Sequence, residues 1–291
     1  GNGQRRSQGI KFSASSSFTR TTSKPSRKPG RRSESHHAKA LINLKMSNPK
    51  KRVAESAPPP KQAKKRKTKF QHEDEALDTE LGLNTLFTRM DNQLLADHLA
   101  QKITRFGGDL SSVELADLTV SANSIQDTTA WQEKRTLDNL PGFLEKFTED
   151  PASLKKAPKK KGSPHTLIVA GAGLRAADIV RATRKFSGKD NTVAKLFAKH
   201  MKVDEQVAFL KNTKTGIGVG TPARLMELID DGALSLDNLK RLVVDASHID
   251  QKKRGVMDMK DTMMPLARFL VRGDFKARYA DAKKPLALLF Y

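Results

Sequence analysis

Between Ser163 and Tyr291 short apolar runs alternate with stretches of helical spacing, and this alternation restricts the possible folds more than any other feature of the chain. Thr166-Leu-Ile-Val-Ala170 is apolar at successive positions, as a strand buried on both faces must be. Leu174 to Phe186 has helical spacing, with Ile179 and Val180 inward and Arg175, Arg181, Arg184 and Lys185 outward. A second helix is expected over 192–201, leading toward Val207-Ala-Phe-Leu210. A strand at 215–219 runs into Gly220-Thr221-Pro222-Ala223-Arg224. Pro222 suits the first turn of a helix that reaches about Asp230, and Asp231-Gly232 closes it. Leu239 to Asp245 and Pro285 to Phe290 supply two further strands. Strands alternating with helices predict an α/β unit with a parallel sheet covered on both faces. Ligands of such sheets bind at the carboxyl ends of the strands. Three segments fall there: Ala170 to Arg175, Gly220 to Arg224, and Asp245 to His248.

Charge divides the rest of the chain. The net charge is +22, with 54 Lys+Arg against 32 Asp+Glu, which calls for a polyanionic partner because cations on phosphate release condensed counterions. Residues 1–70 carry nearly all of one sign, 71–150 are acidic, and 151–291 are basic again. The first segment is rich in Ser, Lys, Arg and Pro without a helical or strand period, so a disordered basic tail is expected over 1–70. Within it Lys50-Lys51-Arg52 and Lys64-Lys65-Arg66-Lys67 flank a Pro-containing spacer, the pattern of a bipartite nuclear localisation signal or of an RNA-binding tail. Met46 precedes the first cluster and is expected to be the initiator, with 1–45 an upstream extension. There is no cysteine, which excludes disulfides, thiolate zinc sites and cysteine nucleophiles. No apolar run approaches the roughly 18 residues of a membrane-spanning helix, so no membrane partner is expected.

Residues 71–150 read as an acidic arm. Leu83, Leu86, Phe87, Met90, Leu94, Leu99, Ile103 and Phe106 form a helical stripe, ended by Gly107-Gly108. That stripe docks either on the chain's own α/β unit, the more ordinary arrangement, or on a partner. Trp131 is an anchor of the same two kinds. Residues 151–163, with five lysines, read as a basic linker before the folded unit at 164–291. His165 and His248 have no companion at metal-ligand spacing and read as surface or capping residues; no metal site is expected.

The order of strand, turn and Arg-bearing helix, then Gly220-Thr-Pro-Ala-Arg224, then Val243-Val-Asp-Ala-Ser-His248 resembles the first RecA-like lobe of the DEAD-box RNA helicases. The resemblance implies a single RecA-like, P-loop-type lobe over about 164–291. Gly220 to Arg224 is similar to that family's Thr-Pro-Gly-Arg motif, Asp245-Ala-Ser-His248 stands where it has Asp-Glu-Ala-Asp, and Ala170 to Ala176 where it has Pro-Thr-Arg-Glu-Leu-Ala. In the helicases the first and last of these turns hold the RNA sugar-phosphate backbone. Carried over by position, Thr221, Pro222 and Arg224 would do so here, with Gly171, Ala172 and Gly173 offering backbone amides. The family's arginine in the first turn is Gly173 here, and Arg175 lies two residues on. The competing reading of Thr221–Arg224 is a helix cap with an internally satisfied arginine.

The departures point away from catalysis. No G-x-x-x-x-G-K-[ST] occurs in the sequence; Gly188-Lys189 is followed by Asp190. Ala246 stands where the helicases have their catalytic Glu, while Asp245 retains a carboxylate able to hold a metal. The family's Ser-Ala-Thr and second lobe have no counterpart before Tyr291. Positioning and charge stabilisation supply nearly all the catalysis of phosphoryl transfer, so the chain is expected not to turn over ATP and to carry no cofactor.

The whole pattern resembles a smaller family, the fungal helicase-like assembly factors of the nucleolar small-subunit processome and their animal counterparts. Asp109-Leu-Ser-Ser-Val-Glu-Leu-Ala-Asp117, Ser163-Pro-His-Thr-Leu-Ile-Val169 and Gly173-Leu-Arg-Ala-Ala-Asp178 carry that resemblance over roughly 84–291. It implies a structural role in small-subunit ribosome biogenesis within the 90S pre-ribosome, a nuclear and nucleolar location, and partners among pre-rRNA, snoRNA and processome proteins. Two alternatives stay open. Counterion release does not separate RNA from DNA, so a chromatin-bound protein fits the charge. Gly171-Ala-Gly173-Leu-Arg-Ala176 also fits the dinucleotide fingerprint of a nicotinamide or methyl-donor enzyme, with Asp190 near the spacing of the ribose-binding acid.

Overall fold

The computed structural model describes residues 76–291. The basic tail, Met46 and both basic clusters lie outside the described residues. The acidic arm opens with a short antiparallel pair, β1 (Leu77–Asp78) and β2 (Leu83–Asn84). A 3-10 turn over Thr85–Thr88 and helix α1 (Asn92–Phe106) follow. The apolar stripe is therefore helical only from Asn92. Asn84 and Asp91 each accept a backbone N–H ahead of them, from Leu86 and Leu94, and so start two separate elements. Gly107 ends α1 as expected, and the reason is space: a Cβ there would lie 2.7 Å from Leu115 Cδ2. Next come α2 (Ser112–Asp117), whose Ser111 and Glu114 form a capping box, and α3 (Leu140–Lys146).

The α/β part runs β3 (Thr166–Val169), α4 (Gly173–Ala182), β4 (Thr192–Leu196), α5 (Val203–Asn212), β5 (Thr215–Gly220), α6 (Pro222–Asp230), β6 (Arg241–Val244), α7 (Lys260–Leu270), α8 (Gly273–Tyr279) and β7 (Ala287–Phe290). The five strands from β3 onward form one parallel sheet in the order β4-β5-β3-β6-β7. The helix expected over 192–201 does not form. Thr192–Leu196 is instead the edge strand β4, and the helix starts at Val203. Thr192 and Val193 are β-branched and favour extended chain, and Val193 and Leu196 are buried in different core clusters. His200, at φ 58°, cannot sit inside a helix.

The period-2 alternation of the strands sorts their side chains into two layers. Leu167, Val169, Leu196, Leu242, Val244, Leu288 and Phe290 belong to one cluster, and Ile168, Ala170, Val193, Ile217, Val219, Val243 and Leu289 to the other. The arm supplies part of both layers. Leu95, Leu99 and Ile103 of α1 join the first with residues of α6 and α7, while Leu140, Phe143 and Leu144 of α3 join the second with Ile179 and Val180 of α4. The α1 stripe thus docks on the chain's own α/β unit, against α7, each fully buried Leu or Ile contributing about 1.5–3 kcal/mol. Arg135, fully buried, fastens the arm to β7 by donating from Nη1 to the Phe290 carbonyl. Trp131 meets Phe143 edge to face at 5.8 Å. The stretch read as a linker, 151–163, holds a 3-10 turn over Pro151–Lys155 with Leu154 fully buried. His165, expected as a surface or capping residue, is buried, and its Nδ1 lies 2.8 Å from Thr166 Oγ1. No helix among the described residues is long and apolar enough to cross a membrane.

Candidate nucleic-acid interface

Strands β5, β3 and β6 are neighbours, with Val169 opposite both Gly220 and Val244. The three segments singled out in the sequence therefore leave the sheet side by side at its carboxyl edge. Gly220 is required by this packing, since a Cβ there would lie 2.2 Å from the Leu196 carbonyl of β4. Gly171 and Gly173 are also closely approached, by Val256 at 3.1 Å and by Lys199 Cβ at 3.4 Å from a would-be Cβ. Ala172 and Thr221 are the N-cap residues of α4 and α6; both are extended, and neither side chain caps its own helix. Pro222 fills the first turn of α6, where its missing N–H costs nothing. The amino ends of two helices thus face outward together, a geometry that favours anionic groups.

The two arginines of the expected interface point elsewhere. Arg224 is buried, and its Nη1 donates to Gln206 Oε1 at 2.7 Å and to the Met201 carbonyl at 3.1 Å. Its Nε donates to Glu227 at 3.0 Å. Gln206 in turn donates to the carbonyls of Lys195 and Phe197. Arg224 therefore ties α6 to α5 and to the end of β4. Arg175 makes a two-pronged pair with Asp245, Nε to Oδ2 at 2.8 Å and Nη2 to Oδ1 at 2.9 Å, the side chains only 11% and 4% exposed. Burial opposes the Arg175 charge, but the Asp245 bonds outweigh it and hold the guanidinium pKa above its ordinary value. Both carboxylate oxygens of Asp245 are thereby engaged, with Ala246 buried beside it.

The arm closes over this segment. Asn84 N donates to the Ser247 carbonyl at 2.7 Å, and Ile249 N to the Gly82 carbonyl at 2.9 Å. Burial, with the nearby Arg175 charge, keeps the His248 imidazole below its usual pKa. Among the described residues no three of His, Asp and Glu come together as a metal site would require.

Further exposed cations follow the strands of this edge: Lys199 and Lys202 after β4, and Lys252 and Lys253 in the loop after β6. Lys199 adjoins Gly173, and Val256, just beyond the lysine loop, adjoins Gly171. A helix over 192–201 would remove a strand end from this edge, which hides Lys199 and Lys202; nothing in the sequence marks Lys252 and Lys253. The same correction bears on the dinucleotide fingerprint. Its ribose-binding acid belongs after the second strand, and there the chain has Phe197-Ala198-Lys199. Asp190 instead lies before β4, in the turn that joins Gly188 to Asn191.

Comparison with known proteins places the chain among its relatives. Protein CMS1 of Chaetomium thermophilum is 62% identical over 244 residues, which is 84% of this chain and 97% of that protein. Human Protein CMSS1 is 37% identical over 135 residues, 46% of this chain and 48% of that protein. Among solved structures, a DEAD box protein from Methanococcus jannaschii aligns over 54% of this chain and 37% of its own, at 21% identity and a TM-score of 0.35. The model of the family described as "CMS1: U3-containing 90S pre-ribosomal complex subunit" matches residues 35–291. The chain belongs to the CMS1 family of 90S pre-ribosomal complex subunits.

Proposed function

We propose that this chain is a non-catalytic structural subunit of the nucleolar 90S particle that lays the carboxyl edge of its sheet against the sugar-phosphate backbone of pre-rRNA or snoRNA. The observation that carries the non-catalytic part is the Arg175–Asp245 pair. A carboxylate saturated by a buried guanidinium is unsuited to holding a metal ion, and Ala246 beside it cannot polarise water. Membership of a family of 90S subunits supports the place of action, and the basic clusters at 50–52 and 64–67 serve nuclear entry in this account.

RNA contact is assigned to groups that are free to make it. These are the outward N–H groups at the starts of α4 and α6, Thr221, and the cations Lys199, Lys202, Lys252 and Lys253. Arg175 and Arg224 hold the turns in shape from within. The test is RNA crosslinking in cells. Replacing the four lysines with Ala is expected to lower crosslink yield roughly fivefold or more, since each phosphate contact releases a counterion. Unchanged crosslinks would leave the lobe a protein scaffold whose tail alone finds RNA. Crosslinks mainly to DNA would favour the chromatin alternative.

A further inference from the structure

The opposite, amino edge of the sheet holds a cleft that this function does not use. It encloses about 830 Å³ between the starts of β3, β6 and β7 on one side and the arm on the other. At its floor lies Arg241, the first residue of β6, 7% exposed. Among the described residues its guanidinium has one hydrogen bond, Nη1 to Thr166 Oγ1 at 2.8 Å, and no carboxylate within ion-pair distance. Burial lowers its pKa, opposed by the charge of Glu149. A buried guanidinium that makes no ion pair, with only the exposed Glu149 acting on it through space, is costly, so its retention at the base of an open cleft points to an anion beyond the described residues. Arg278, on the same wall, donates only to carbonyls, those of Leu236, Leu239 and Lys284. Lys156, Lys240, Lys283 and Lys284 are exposed around the rim.

The lining also says what kind of anion fits. Three carboxylates face the cleft: Asp237 paired with Lys160, Asp150 accepting the Ala152 N–H, and Glu149, exposed and in no ion pair among the described residues. A run of phosphates would meet that negative charge repeatedly, whereas a single carboxylate needs only Arg241. Pro158, Pro285 and Ile125 give an apolar wall, and the three aromatic rings of the lining, Phe147, His165 and Tyr279, each already have a partner within the protein. Phe147 is packed on Phe143, and the Tyr279 hydroxyl is tied to the Leu270 carbonyl. We propose that this cleft receives an extended segment of a partner protein, its backbone along the proline wall and one Asp or Glu side chain on Arg241. This does not depend on the RNA-facing edge and stands or falls separately.

The test uses the full chain within purified 90S particles, with p-benzoylphenylalanine in place of Pro285 as the photo-crosslinker. The expected product is a crosslinked protein peptide bearing Asp or Glu within a few residues of the attachment point. Arg241→Gln is expected to reduce its yield roughly tenfold or more, as loss of a buried charge pair does. Should Arg241→Gln lower the melting temperature enough to impair incorporation, Lys283→Glu with Lys284→Glu decides, because both side chains are exposed. That variant is expected to reduce the yield several-fold in particles that still contain the chain. Crosslinks to RNA, to a segment without acidic residues, or to nothing would overturn the proposal, as would a yield unchanged in the folded variants.

Discussion

Replacing Arg175 with Met leaves Asp245, 4% exposed, without its partner. Breaking a buried ion pair from one side costs about 3–5 kcal/mol, because the remaining charge is stranded in a poorly polarisable site. For a folded region of this size each kcal/mol lowers the melting temperature by about 2–4 °C, so the expected drop is about 6–20 °C. Replacing Asp245 with Leu in the same chain removes the stranded charge. The double variant is expected to recover most of the loss, within about 2 kcal/mol of the parent, since apolar replacement of a whole buried pair is often near neutral. Urea unfolding of the parent, both single variants and the double variant gives the coupling energy directly. A loss below about 1 kcal/mol for Arg175→Met, or a double variant no better than the sum of the singles, would refute the reasoning.

Leu99→Ala, at a fully buried position of α1, is expected to cost about 2–5 kcal/mol by urea unfolding, and a surface-like loss would mean the arm is not docked. Gly220→Ala must displace the Leu196 carbonyl and is expected to cost about 1–3 kcal/mol or more; a neutral result would contradict the tight β4–β5 approach. Burial holds the imidazoles of His98 and His165 down at about 4, against an ordinary 6.5. The folded chain therefore binds fewer protons than the unfolded chain between those values, and stability should fall as pH drops from 6.5 toward 4. His165 alone should account for a loss on the order of 3 kcal/mol. Urea midpoints at pH 7 and 4.5 measure this, and an unchanged slope in a His98→Gln, His165→Gln variant would reject the assignment.

The sheet could be read from the sequence where strands are buried on both faces. Thr166–Ala170, Thr215–Val219 and the Leu242–Val244 stretch of the third run have no charged residue to spare for a helix's outer face. The edge strand β4 could not, because Lys195 and the short run Thr-Val-Ala-Lys-Leu suit either period. The span 260–279, which holds α7 and α8, carries no clear helical signal either, because Pro265 interrupts the pattern of the first. The three turns of the carboxyl edge were found by motif and order. What their arginines do was not, since a motif gives position but not direction. Arg224 and Arg175 turn inward because Gln206 and Asp245, 18 and 70 residues away in sequence, accept from them. The cleft at the amino edge was invisible for the same reason: its walls come from residues 123–126, 147–158, 237–241 and 278–287.

The proposal that Arg175 holds Asp245 in place of a metal ion, leaving the chain without ATPase chemistry, is tested most directly by phosphate release from ATP. The purified full chain with magnesium and RNA is expected to release no phosphate above a protein-free control. RNA-stimulated release that disappears in Asp245→Asn would contradict it.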